Sequence, residues 1–81
     1  MTGWTEGAYG AQIFKHEGWE VRVEENNRIY VETPTDEAEV EVYPEGVWVK
    51  GEYAGSVAEA FIIPWEVIAA IIEARKIVGA A

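Results

Sequence analysis

The chain contains no cysteine, which excludes disulfides, thiolate metal sites and a cysteine nucleophile together. It has a single histidine, His16, and a single serine, Ser56. One imidazole without thiolates does not supply the usual nitrogen and sulfur ligands of zinc. A hydroxyl nucleophile needs a base within reach, and no motif surrounds either residue, so His16 reads as a strand or edge residue. Cations are also scarce: six Lys and Arg stand against fifteen Asp and Glu, a formal charge of −9 and a pI near 4.4. That sign opposes counterion-driven binding to nucleic acid. Gly3, Gly7 and Gly10 precede a strand instead of following one, so they do not form a phosphate cradle. The longest uncharged apolar stretch, Ala60 to Trp65, is far below the roughly 18 residues of a membrane span. The opening MTGWTEGAYG lacks the basic start and apolar run of a secretory signal. The chain reads as unexported and cytoplasmic.

What is present is apolar and aromatic. Of 81 residues, 49% are hydrophobic and 12% aromatic, too much for a chain kept disordered by its charge, and the length suits one domain. Residues 1–10 carry three glycines and alternate small side chains with Trp4 and Tyr9, which predicts a flexible N-terminal arm before a single domain over 11–81. Trp4 and Tyr9 either fold back over the core edge or grip a neighbour.

The middle of the chain has the two-residue period of strands with one buried face. In WEVRVE, Trp19, Val21 and Val23 alternate with Glu20, Arg22 and Glu24, and RIYVET repeats the pattern with Ile29 and Val31. Placing Val23 opposite Ile29 leaves Glu25, Asn26 and Asn27 as a three-residue loop, with Asn27 in the left-handed conformation, and sets Glu24 opposite Arg28. AEVEVY and VWVKGEY flank Pro44-Glu45-Gly46, a second hairpin. A three-residue loop there puts Val42 opposite Trp48 and Tyr43 opposite Val47, leaving neither face purely polar; either the turn has another length or the sheet is covered on both sides. AQIFKH supplies a further strand, with Ile13 or Phe14 inward, joined through Glu17-Gly18.

Towards the C-terminus the period changes. Helix formers and an initial Pro64 predict a helix from Trp65 to Val78, with Gly79 ending it. Ala58 to Ile63 reads as a buried strand, although Ser56 and Glu59 also have capping-box spacing. On a helical wheel Val67, Ile68, Ile71, Ala74 and Val78 form a central stripe, flanked by Ile72 on one side and by Ala70 and Ile77 on the other; Glu66, Glu73 and Lys76 lie opposite. This arc is wider than one sheet face needs. Either the chain covers the excess itself or a homo-oligomer does, most simply a twofold dimer, with Ile68, Ile71, Ile72 and Arg75 at the seam. The fold class is thus α+β: a small antiparallel sheet of about five strands, built on two hairpins, with the C-terminal helix on one face.

Carboxylates are the abundant reactive group. Asp36, Glu37, Glu39 and Glu41 lack the spacing of a calcium loop, and paired glycosidase acids need a cleft, so no metal, cofactor or catalytic residue is assigned and the chain reads as a non-enzyme. Between Glu17 and Glu45, ten acids face only Arg22 and Arg28, which assigns −8 of the charge to the two-hairpin sheet. Such a field steers a basic protein partner, and aromatics among charges anchor interfaces. The partner-binding residues are Tyr30, Glu39, Glu41, Tyr43 and Trp48, with nucleic-acid mimicry as the sharpest form of this reading. The alternative is an oligomeric protein that sequesters an anionic small molecule at a subunit boundary, held by aromatics and Arg22, Arg28 or Arg75. In composition the chain resembles small accessory proteins of bacteriophages that infect high-GC bacteria, which are short, acidic, cysteine-free and rich in Ala, Gly, Val and Trp. That resemblance implies a protein that modulates a host or phage protein or sequesters a small molecule.

Overall fold

The structure, a computed structural model, describes residues 3–34, 38–51 and 62–79. Six strands, β1 (Trp4–Glu6), β2 (Gln12–His16), β3 (Trp19–Val23), β4 (Ile29–Glu32), β5 (Ala38–Tyr43) and β6 (Gly46–Gly51), precede one helix, α1 (Trp65–Gly79). The strands form an open antiparallel meander in sequence order, and α1 packs chiefly across β3. The α+β class is as the residue patterns predict, with six strands instead of about five.

The additional strand comes from the stretch expected as an arm. Trp4–Glu6 pairs with Gln12–Phe14, and the Trp4 and Phe14 rings meet at 5.9 Å between centroids beside the core. A glycine that suggested flexibility permits close approach instead: a Cβ on Gly7 would lie 2.6 Å from Ile13 Cδ1. Trp4 folds back over the core edge, whereas Tyr9 stays 87% exposed.

The turns set which side chains face the helix. Glu17 and Gly18 both take positive φ, 46° and 88°, as a two-residue loop matched to strand twist requires. His16 therefore pairs with Trp19 and Phe14 with Val21, so Phe14 points inward and Ile13 outward. In the next hairpin Val23 lies opposite Ile29, Asn27 has φ 62°, and the Glu24 amide donates to the Arg28 carbonyl at 2.9 Å, as expected. The last hairpin corrects the three-residue register: Val42 pairs with Val47 and Tyr43 with Gly46, leaving a two-residue Pro44-Glu45 loop. The other turn length restores alternation, because a one-residue shift moves every side chain of β6 to the opposite face. Val40, Val42, Val47 and Val49 now share the helix side.

Helix α1 starts where expected, the Pro64 carbonyl accepting from the amides of Val67 and Ile68 at 3.0 and 3.1 Å. Its buried residues are Val67, Ala70, Ile71 and Ala74, against Trp19, Val21, Val23 and Val40 of the sheet. The buried arc is rotated towards Ala70, so Ile72 remains 49% exposed. Ile71 was expected at a dimer seam; at 5% exposure it belongs to the chain's own core. Of the strand expected over Ala58 to Ile63, residues 58–61 lie outside the described residues. Ile62 and Ile63 are not in a strand, and Ile63 packs on the core.

Burial separates two neighbouring isoleucines. Ile71→Glu places a charge in the core and is predicted to cost at least about 3 kcal/mol, whereas Ile72→Glu should stay within about 1 kcal/mol. Thermal unfolding followed by circular dichroism reads the difference; equal losses would contradict this packing.

Candidate functional site

The sheet face away from α1 collects every residue expected to bind a partner. Successive register pairs align Ile13, Arg22, Tyr30, Glu41 and Trp48 in one cross-strand row. Strand alternation places Glu39 and Tyr43 on the same face, on either side of Glu41. Glu39 and Glu41 are exposed, and Tyr30, Tyr43 and Trp48 are 37%, 45% and 44% exposed.

The electrostatics of this face depart from the expected acid field. Among the described residues, Glu20, Glu24, Glu32, Glu39 and Glu41 are interleaved with Lys15, Arg22, Arg28 and Lys50, a balance of one negative charge. Glu17, Glu25 and Glu45 sit in turns or beside them, and Asp36 and Glu37 lie outside the described residues. Charge is also unevenly placed within the face. Arg22 donates from Nε to Glu24 at 2.8 Å and from a terminal nitrogen to Glu20 at 2.9 Å. Burial opposes its charge, but the bond to Glu24 and the fields of Glu24, Glu20 and Glu32 outweigh that and raise its pKa. Both guanidiniums lie over the Tyr30 ring, Arg22 at 5.4 Å and Arg28 at 5.2 Å from its centroid, within cation–π range. Arg28 therefore stacks on Tyr30 while Arg22 holds Glu24, where simple opposition predicts a Glu24–Arg28 pair. What remains is Glu32, Glu39 and Glu41, with Lys50 opposite Glu39 and Trp48 opposite Glu41.

A wedge opens next to these residues. Among the described residues β4 pairs with β5 at Tyr30–Glu41 and Val31–Val40, and a half-open cavity of about 680 Å³ lies between residues 27–31 and 39–44, bordered by Arg75, Val78 and Gly79 of α1. Its walls mix Ile29, Val31, Val40, Val42 and Val78 with charged, polar and aromatic side chains. Arg28 and Arg75, proposed from the sequence as anion holders, both line it, together with Glu39 and Glu41. Arg22 does not.

The remaining candidates are dispersed. Ile72 and Arg75 are exposed on the helix flank and Ile68 is half-buried. His16 stacks on Phe14 and faces Glu17 and Glu66 at 3.6 and 3.8 Å. Among the described residues no group of three or more His, Asp or Glu could hold a metal ion, and no helix is long and apolar enough to cross a membrane. Val47 and Val49 are 44% and 47% exposed on the helix side of the sheet, whereas the three-residue register set them on the face of Tyr43. No protein-family model matches the chain, and no curated protein or solved structure is significantly similar to it.

Tyr43 carries a testable signature. Its hydroxyl donates to Glu41, and that bond, followed by the charge of Glu41, raises its pKa above the ordinary 10.0. The bond favours the protonated phenol, so its contribution to stability is fully present below pH 10 and is lost as pH rises through the shifted value. Spectroscopic titration should find one tyrosine titrating late, returning towards 10.0 in Glu41→Gln. An unchanged titration in that variant would contradict the contact.

Proposed function

We propose that the protein is a non-enzymatic interaction module that engages a basic protein partner through the outer part of its open sheet face. The observation that carries this reading is the convergence of Tyr30, Glu41 and Trp48 in one cross-strand row, with Tyr43 and Glu39 beside it. Tyr30 already carries Arg22 and Arg28 over its ring, whereas half-exposed Trp48 and Tyr43 next to carboxylates suit a partner's lysine or arginine: the ring faces attract the cation and the carboxylates pair with it. The interleaved arginines favour a binder of basic side chains over a mimic of nucleic acid, since they interrupt any phosphate-like ridge. The total charge of −9 aids encounter at a distance, and the resemblance to phage accessory proteins agrees with a modulator of this kind.

A second reading, an anionic small molecule held in the wedge, is favoured by one observation: Arg28 and Arg75 meet at the same cavity, and neither has an ion pair among the described residues. Native mass spectrometry of protein from its native host tests it. A retained anion that is lost in Arg28→Ala and Arg75→Ala supports this alternative.

The leading reading predicts that replacing Glu39 and Glu41 by Gln slows association with a captured basic partner and flattens its salt dependence, with little change in dissociation. Trp48→Ala should weaken binding by about tenfold or more while costing under about 1 kcal/mol of stability. Unchanged kinetics in both variants, measured by surface-based binding, would make the face a solubility device.

A further inference from the structure

The sheet has two edges, and they differ in kind. β1 is three residues long and ends in Glu6. β6 is six residues long, Gly46–Gly51, and among the described residues no strand lies on its outer side. Long edge strands are ordinarily shielded by proline, charged side chains or bulges; β6 carries one such charge, Lys50, and before it presents Val47, Trp48 and Val49, each 44–47% exposed.

Its polar groups follow from the turn. The residues flanking a two-residue hairpin loop exchange backbone hydrogen bonds, and pairs alternate along an antiparallel ladder. Tyr43–Gly46, Glu41–Trp48 and Glu39–Lys50 are thus the bonded pairs. The amides and carbonyls of Val47 and Val49 point away from β5. We propose that this edge accepts an extended segment of a protein partner as a seventh strand, with small apolar residues on one side and a basic residue on the other. This rests on the partner reading above and adds how the partner is held.

The chemistry on the two sides fixes that composition. On the helix side an added strand lies beside Val47 and Val49, exposed apolar surface that valine covers. On the open side its residue next to Trp48 is about 4.8 Å from β6. A lysine there lies along the indole and reaches towards Glu41, the next residue of the row. Lys50 disfavours a second cation at the neighbouring position, so the basic residue is single.

The experiment uses the full chain and a blocked peptide, Thr-Val-Lys-Val-Thr, which reads the same in both strand directions. In the free protein the Val47 and Val49 amides should exchange with solvent faster than those of Trp48 and Lys50. Saturating peptide should slow the two valine amides about tenfold or more, and Val49→Pro, which removes an outward amide and no ladder bond, should weaken the peptide about tenfold. Glu in place of the peptide's Lys should weaken it comparably. Should Val49→Pro fail to fold, the exchange measurement on the unaltered chain decides. If the peptide shifts Trp48 and Tyr43 ring signals while the valine amides exchange unchanged, strand addition is wrong and the open-face reading stands. If neither responds, both fall. Slow valine amides in a free protein of doubled mass would give the edge to a second copy and overturn the proposal.

Discussion

Among the described residues one helix covers the apolar side of six strands, and the arrangement of the sheet follows from that mismatch. A helix is about 10 Å across, while neighbouring strands lie about 4.8 Å apart, so α1 shelters two or three strands directly. It lies across β3 and reaches β2 and β4. Trp4, Phe14 and Trp19 fill the space on one flank and the smaller Val40 and Val42 on the other. Cover ends there. Among the described residues the apolar side chains of β6 meet no comparable layer, and the same sheet that is tightly packed at Val21, fully buried, is half-exposed at Val49 one row-end away.

The open side of the sheet is organised by charge instead. Around β3, Glu20 and Glu24 hold Arg22 from both sides, and Arg28 lies over Tyr30, so this half is internally neutralised. Towards β5 and β6, Glu39 and Glu41 stand beside Tyr43 and Trp48. The proposed landing place for a basic group is on this part of the face, at Glu41 and Trp48. The wedge between β4 and β5 lies beside it, where the C-terminal turn of α1 borders the gap.

Much of this was legible before any coordinates. The Val23–Ile29 register and left-handed Asn27 followed from parity and turn chemistry alone, and the start of α1 from Pro64, because local rules decide them. The N-terminal strand was not legible: glycines signal freedom as readily as close approach, and only the proximity of Ile13 to Gly7 separates the two. The last hairpin hinged on one loop residue. Pro44-Glu45-Gly46 suits two loop lengths, and nothing local shows that Gly46 is already in the strand. Charge was legible as a sum, but its division between the sheet face and the turns at Glu17, Glu25 and Glu45 was not. Exposure of Val47 and Val49 depends on where the helix ends its cover, a tertiary fact invisible to a two-residue period.

The central claim is that cover by α1 divides the sheet into a packed part around β3 that extends to Val40 of β5 and a less covered edge strand, β6, the element proposed to bind. Native-state hydrogen exchange along a urea series tests it most directly, because each ladder amide reports the free energy of the opening that exposes it. The account predicts that ladder amides of β3 and buried-turn amides of α1 exchange only through global unfolding, while the ladder amides of Trp48 and Lys50 exchange through a smaller, less urea-sensitive opening. Amides of β6 that share the free energy and urea dependence of β3 would contradict it.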